Sequence, residues 1–566
     1  MLKGGIHLKS KKLVALMLVS ALAVTTALAG CGTTDTTSKV DKDQYLNVVL
    51  AQEPKTIDGS VSTDLYSSQI LNETMEGLTR IEQDKDGKDI IKPAQATSWD
   101  ISDDGLTWTF HLRDNKWSDG KAVTAGDYVY GIKRTLDPKL GAAYSFLLMP
   151  IKGAAEYNDA DKNASPDVVG VKAIDDKTLE IKLEGPCAYF LNITYFKVMY
   201  PQRKDMVEKA GDKYGSEANQ LVYCGPFKIS SWVHGNTVEL VKNDQYWDAK
   251  SVKLNKVTMK IILELNTRMQ ELYNGSLDTA AVTKPEWIEK LNATKKFDVK
   301  KGYDPSTSYD FYNEKVKLFS NANVRKAFSL AVTRDDIATT LYNGLASGAY
   351  AWCPPSLQIG GKDFRELVNN LPIKKLAEEN PDPKALLIKG LKELKMDPDP
   401  SKITVKYLEA GTDSQSKDFA EYSQQMYQKA LGIKVEVEYV EWAIFMQRTD
   451  KMDYQIGGMA WSGDYNDPMT EFDMWVTGAN IVPTGWSNTK YDALIKEAGS
   501  LGADKNDKRA DLFKQAEEIL LHDDAVIAPT VFRMRNTYRA KYVKGIMAPL
   551  FGSGSELKYA YTEGRQ

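Results

Sequence analysis

The stretch from residue 419 to 468 leaves this chain the fewest choices. Phe419, Tyr422, Met426, Tyr427 and Ala430 recur at helical spacing, and Gly432 stands where a left-handed stop is expected. Residues 433–440, Ile-Lys-Val-Glu-Val-Glu-Tyr-Val, alternate as a strand. Residues 441–448 read as a second helix, and a short strand over 454–456 enters a polar loop over 461–468. Helix, strand, helix, strand predicts parallel pairing, because parallel neighbours need a crossover between them. Ligands of such sheets gather in loops at the strand ends. The loop that carries Asp464 is therefore where a ligand is expected.

The remaining signals are shorter. Residues 106–112 alternate, with Trp108, Phe110 and Leu112 on one face, and residues 178–183 and 237–240 do the same. Asp86-Gly87 predicts a hairpin turn. A helix is expected from about Asp127 to just before Asp137-Pro138. Residues 216–220, 380–383 and 397–401 read as surface loops. A chain of 566 residues calls for more than one core, since single cores stop growing near about 250–300 residues. Its 11 Trp and 29 Tyr suit either core or a wide binding cleft. A formal charge of −4 makes nucleic acid a poor partner.

The N-terminus is basic at Lys9, Lys11 and Lys12, then mostly apolar from Leu13 to Ala29, the plan of a secretory signal. That run falls short of the roughly 20 apolar residues of a comfortable membrane span. Leu28-Ala-Gly-Cys31 resembles a bacterial lipobox, which implies lipidation of Cys31 as the mature N-terminus. Residues 1–30 are thus expected to be a signal peptide and 31–45 a small, polar tether. Beyond Cys31 stand Cys187, Cys224 and Cys353, none within metal-motif or redox-motif spacing of another. One disulfide with a thiol left over and three buried thiols are both open.

Four histidines occur, His7, His111, His234 and His522, and none belongs to a His-Glu-x-x-His pattern. No Gly-x-Ser-x-Gly elbow and no phosphate-cradling Gly-rich loop is present. Nothing specific supports an enzyme, a metal site or a cofactor.

Several segments together resemble the oligopeptide-binding proteins of ABC importers, within the extracellular solute-binding proteins of family 5. They are Glu53-Pro-Lys-Thr-Ile-Asp58, Met75-Glu-Gly-Leu78, Ala96-Thr-Ser-Trp99, Asp104-Gly-Leu-Thr-Trp-Thr-Phe-His-Leu-Arg113, Trp117-Ser-Asp-Gly120 and Val123-Thr-Ala-Gly-Asp127. Gly225-Pro-Phe227 with Trp232, Asn243-Asp-Gln-Tyr-Trp247, Val324-Arg-Lys-Ala-Phe328, the 461–468 loop and Ala516-Glu-Glu-Ile-Leu520 continue the match. The resemblance implies an α/β, two-lobed, periplasmic-binding-protein-like (type II) fold with an extra inserted domain. The implied boundaries are 46–79, 202–307 and 530–566 for lobe I, 80–201 for the insert and 308–529 for lobe II.

In such a protein, a cleft takes the peptide, a hinge closes on it, and the loaded form docks on a membrane permease. The expected partners are thus an oligopeptide and ABC permease subunits. The protein is expected to be a monomer tethered by lipid to the outer face of the cell membrane, in a cell of Gram-positive type. The resemblance assigns Asp464 to the ligand's α-ammonium, where Asp464 alone would read as a turn residue beside Gly463. It puts Trp442 and Trp461 in the cleft, with core packing a rival for Trp442. Backbone groups of Ala460 and Ser462 would pair with the ligand strand, Tyr465 would flank the anchor, and Tyr144 would sit at the cleft mouth. Two departures stand out. Related transporters of Gram-negative type carry arginine where Gly458 stands and cysteine where Ser462 stands, so a cleft cation near that strand loses support and the thiols inherit no pairing. Other readings keep the fold and change the ligand, to one signalling peptide, a nickel chelate, haem or a sugar.

Overall fold

The computed structural model describes residues 40–565 apart from 86, 412, 413 and 480. Cys31, the leader and most of the tether lie outside the described residues. Strand Tyr45–Leu50 runs parallel to Lys256–Ile261, and Thr237–Lys242 and Phe227–Val233 extend that sheet antiparallel. A second sheet of four antiparallel strands, Ala96–Ile101, Thr107–Leu112, Thr178–Lys182 and Val171–Asp175, lies within the stretch between these strands in sequence. Its period-two pattern works as read: Trp108, Phe110, Leu112, Leu179 and Ile181 are buried. The helix Ala125–Leu136 packs on this sheet. Its start is fixed by a capping box in which Asp127 reaches back to Thr124, so it opens two residues before the expected point. Strands Thr79–Gln83 and Asp89–Pro93 form the expected hairpin, with Gly87 at φ 78°.

The third sheet holds the stretch that opened the sequence argument. Ser414–Leu431 is a helix stopped by Gly432 at φ 74°, Lys434–Val440 is a strand and Trp442–Asp450 is the second helix. The parallel pairing is present, but the two predicted strands are not neighbours. Strand Thr404–Ala410, which the periodicity did not reveal, lies between Lys434–Val440 and Ile456–Ser462 and is parallel to both. The last strand also begins later than expected and runs longer, so Trp461 and Ser462 end it and the loop starts at Gly463. Tyr454 stays outside because its carbonyl accepts from Asn313 Nδ2 at 2.9 Å instead of from a neighbouring strand.

Two long strands complete the sheet. Phe297–Tyr312 and Ile527–Ala540 pair antiparallel from Phe297↔Ala540 to Phe311↔Ile527, with a break in register between Tyr303 and Thr307. Buried clusters lie on both sides of this sheet. One gathers Tyr312, Phe319, Phe328, Leu387 and Tyr427, and another joins the first two sheets to Trp352, Tyr465 and Phe472. Among the described residues no helix is long and apolar enough to cross a membrane.

Candidate functional site

Strand Ile456–Ser462 pairs along its whole length with Phe297–Tyr312, from Tyr312↔Ile456 to Ser306↔Ser462. On its other side Thr404–Ala410 reaches only Ile456 and Gly457. From Gly458 to Ser462 that edge has no strand partner among the described residues. A cavity of about 190 Å³ runs beside it, lined in part by Met459, Ala460, Tyr407, Phe419 and Arg533. Unpaired edge groups accept an added strand.

At the end of this open edge the loop is held at several points. Gly463 N donates to Pro305 O at 2.8 Å, and Asp464 N donates to Thr470 Oγ1 at 3.0 Å. The Trp461 indole donates to Thr470 O at 3.1 Å, and Asn466 Oδ1 accepts from Gln358 N at 2.8 Å. Asp467 takes two bonds from the Arg509 guanidinium, at 2.7 and 2.9 Å, in a buried ion pair. The loop is thus a rigid mount for the Asp464 side chain.

That side chain faces residues from the 96–182 sheet region. The Tyr144 hydroxyl donates to Asp464 Oδ1 at 3.2 Å. Oδ2 is shielded from solvent and has no hydrogen-bond partner. The residue as a whole keeps a little exposure, but the carboxyl itself is enclosed, and the two oxygens decide its chemistry. Burial pushes the carboxyl up to about 7, against the opposing pull of Lys197 and the Tyr144 bond. Tyr465 stacks on Tyr189, centroids 5.3 Å apart, and closes the same seam. Behind the loop, burial and neighbouring carboxylates hold Glu471 and Asp473 well above the usual carboxylate range. An enclosed carboxylate oxygen with a vacant acceptor position, at the end of an unpaired strand edge, fits the terminal ammonium of an extended chain.

The structure brings Tyr144, Ala460, Trp461, Ser462, Asp464 and Tyr465 to this seam. It does not bring Trp442 there: its ring stacks on Phe445 at 5.7 Å and is 48% exposed, on the first turn of its helix. It is neither a core residue nor, among the described contacts, a neighbour of the 464 loop. Arg448, on the helix Trp442–Asp450, is committed to Glu438 and Asp453. Gly458 has no room for a longer side chain, because a Cβ there would collide with the Tyr407 hydroxyl. Cys187, Cys224 and Cys353 are free and buried, and burial pushes the Cys187 thiol up to about 12.

Sequence reasoning missed Lys197, a buried ammonium in the same gap. Its signal was a lone lysine in the apolar run Tyr195-Phe-Lys-Val-Met-Tyr200. It also missed Thr470 and Arg509, whose roles depend on contacts that local sequence does not carry. Among the described residues no group of His, Cys, Asp and Glu is disposed to hold a metal ion.

Comparison with known proteins agrees with this architecture. The profile of bacterial extracellular solute-binding proteins, family 5 middle, matches residues 91–482. The dipeptide-binding protein DppE of Bacillus subtilis is 34% identical over 538 residues, 93% of this chain and 95% of its own. A substrate-binding domain of an oligopeptide ABC transporter from Bacillus anthracis superposes with TM-score 0.83 at 34% identity, covering 93% of this chain and all 100% of that one. OppA of Listeria monocytogenes, solved with bound peptide, gives TM-score 0.81 at 28% identity, covering 93% and 100%. The fold is the α/β, two-lobed type II binding-protein fold, and the chain belongs to the bacterial extracellular solute-binding proteins of family 5.

Proposed function

We propose that this protein captures oligopeptides between its lobes and hands them to an ABC permease. The observation that carries this reading is the unpaired edge from Gly458 to Ser462, which ends at the partnerless Oδ2 of Asp464. A peptide laid antiparallel or parallel on that edge gains backbone bonds whatever its sequence. Its α-ammonium on Asp464 adds a charge-assisted bond worth roughly 1.5–3 kcal/mol. Side chains then project into surrounding space, where water fills what they leave. Ala460 and Ser462 supply backbone groups, Trp461 and Tyr465 wall the path, and Tyr144 closes over the anchor. The relatives named for dipeptides and oligopeptides support this ligand class.

The cycle is capture, closure, docking and release, with no bond of the ligand broken. Closure is a rigid-body motion of lobe II, residues 308–529, against lobe I and its insert at 80–201. The paired strands Phe297–Tyr312 and Ile527–Ala540 serve as the hinge. The leader at 1–30 exports the chain, and a lipid on Cys31 with the 31–45 tether holds a monomer at the outer face of the membrane. Calorimetry with matched free and N-acetylated peptides tests the reading. The free peptide is expected to bind at least ten-fold tighter, and equal affinities would overturn the ammonium anchor. Mass spectrometry of metabolically labelled protein tests the lipid at Cys31.

A further inference from the structure

Building on that reading, we propose that Lys197 receives a carboxylate of the ligand, carried beside the α-ammonium that Asp464 holds. Lys197 opens the short helical turn Lys197–Met199 and is 4% exposed. Its Nζ donates to Ser68 Oγ at 2.8 Å and lies 5.2 Å from the Tyr144 ring centroid and 5.5 Å from that of Phe196. An ammonium has three donors, and this one has a single oxygen acceptor among the described residues. It forms no ion pair within 4.0 Å among them either. Asp464 and Asp64 act on it only from farther off, and burial lowers it to about 8.

The charges in the gap then decide what a ligand must bring. Without ligand, Asp464 and Lys197 face one another across Tyr144. A peptide ammonium seated on Asp464 uses that negative charge and leaves Lys197 buried with only the more distant Asp64 charge acting on it. Glu471 and Asp473 lie behind the loop, where burial first and then neighbouring carboxylates raise both well above the usual carboxylate range and so favour their uncharged forms. Asp64 belongs to the helix cap that Ser67 N–H satisfies. A buried cation without a counter-charge is costly. A carboxylate on the ligand, a few ångströms from its own ammonium, restores neutrality and fills the vacant donors of Lys197.

Two sources supply that pairing of charges: an acidic side chain on the first residue, or the C-terminal carboxylate of a two-residue ligand. Calorimetric titration of the whole mature protein separates them. One arm compares Glu-Ala-Ala-Ala with Gln-Ala-Ala-Ala, the other Ala-Ala with Ala-Ala amide, each on wild type and on Lys197→Met. In wild type the carboxylate-bearing member of at least one pair should bind about ten-fold or more tighter. In Lys197→Met that advantage should fall to within about two-fold. The arm that discriminates names the source. Equal affinities within both pairs on wild type overturn the proposal, and so does a preference that survives in Lys197→Met. The wild-type comparison stands even if the variant fails to fold. If none of the four ligands binds, the peptide reading itself has failed. If the neutral members bind and their acidic partners bind no tighter, only the role of Lys197 falls.

Discussion

Tyr144 and Asp464 meet across the seam, the phenol donating to Oδ1 at 3.2 Å while Oδ2 stays without a partner. One oxygen thus bridges the gap, and the other is the one the proposed ligand ammonium would take. Tyr144→Phe removes the bridge and keeps the ring stacked on Phe146. Peptide affinity should fall by about 1 kcal/mol, roughly five-fold, while the melting temperature barely moves. Small-angle scattering should show a larger radius of gyration for the ligand-free variant than for wild type.

The raised carboxyl of Asp464 makes stability depend on pH in a defined direction. In the folded protein it titrates near 7, and in the unfolded chain near 3.8. Between those values the folded form holds a proton that the unfolded chain has released. Stability from this group is therefore whole below pH 3.8 and is lost as pH rises through 7. Asp464→Asn never ionises, so urea midpoints should show the variant gaining on wild type from pH 4 to 7.5. Peptide binding needs the ionised form, so wild-type affinity should climb from pH 6 to 8.

Asp467 and Arg509 are buried, 42 residues apart, and brace the loop from behind. Arg509→Met leaves the Asp467 charge enclosed without its partner. Chemical denaturation should show a loss of about 3–5 kcal/mol. Asp467→Asn with Arg509→Met together should recover part of that loss, since neither charge then remains.

Gly458 lies against Asp310, whose carboxylate accepts from the hydroxyls of Tyr407 and Tyr427. Gly458→Ala forces the Tyr407 hydroxyl off Asp310, because the added methyl takes its place. A cost of about 1–3 kcal/mol is expected for the unmet buried group. Tyr407→Phe in the same background should make the alanine nearly neutral, read as a double-mutant cycle of urea midpoints.

Local pattern revealed a good deal of this molecule. Period-two runs placed Trp108, Phe110 and Leu112 inward, and Gly432 ended its helix as read. The loop at 464 was legible because a helix–strand alternation led into it. Strand Thr404–Ala410 was not: the 404–410 stretch shows no clean alternation, and Tyr407 and Leu408 are both buried, one on each face of the sheet. Trp442 was ambiguous in the sequence because an aromatic on a helix looks the same whether it packs in a core, stacks on Phe445 at the surface or lines a cleft. Lys197 escaped because no local pattern tells a lone lysine in an apolar run that Ser68 will lie 2.8 Å away.

Pro305, whose carbonyl takes the Gly463 N–H, sits inside the interruption between Tyr303 and Thr307 where the two long strands fall out of step. The loop that carries Asp464 is therefore fastened, one residue away, to a break in register of the two long strands. With these strands as the hinge proposed above, flexing there pulls on the backbone that carries the Asp464 carboxylate. On that proposal, loading of the anchor and bending of the joint are one mechanical event, with no intervening relay.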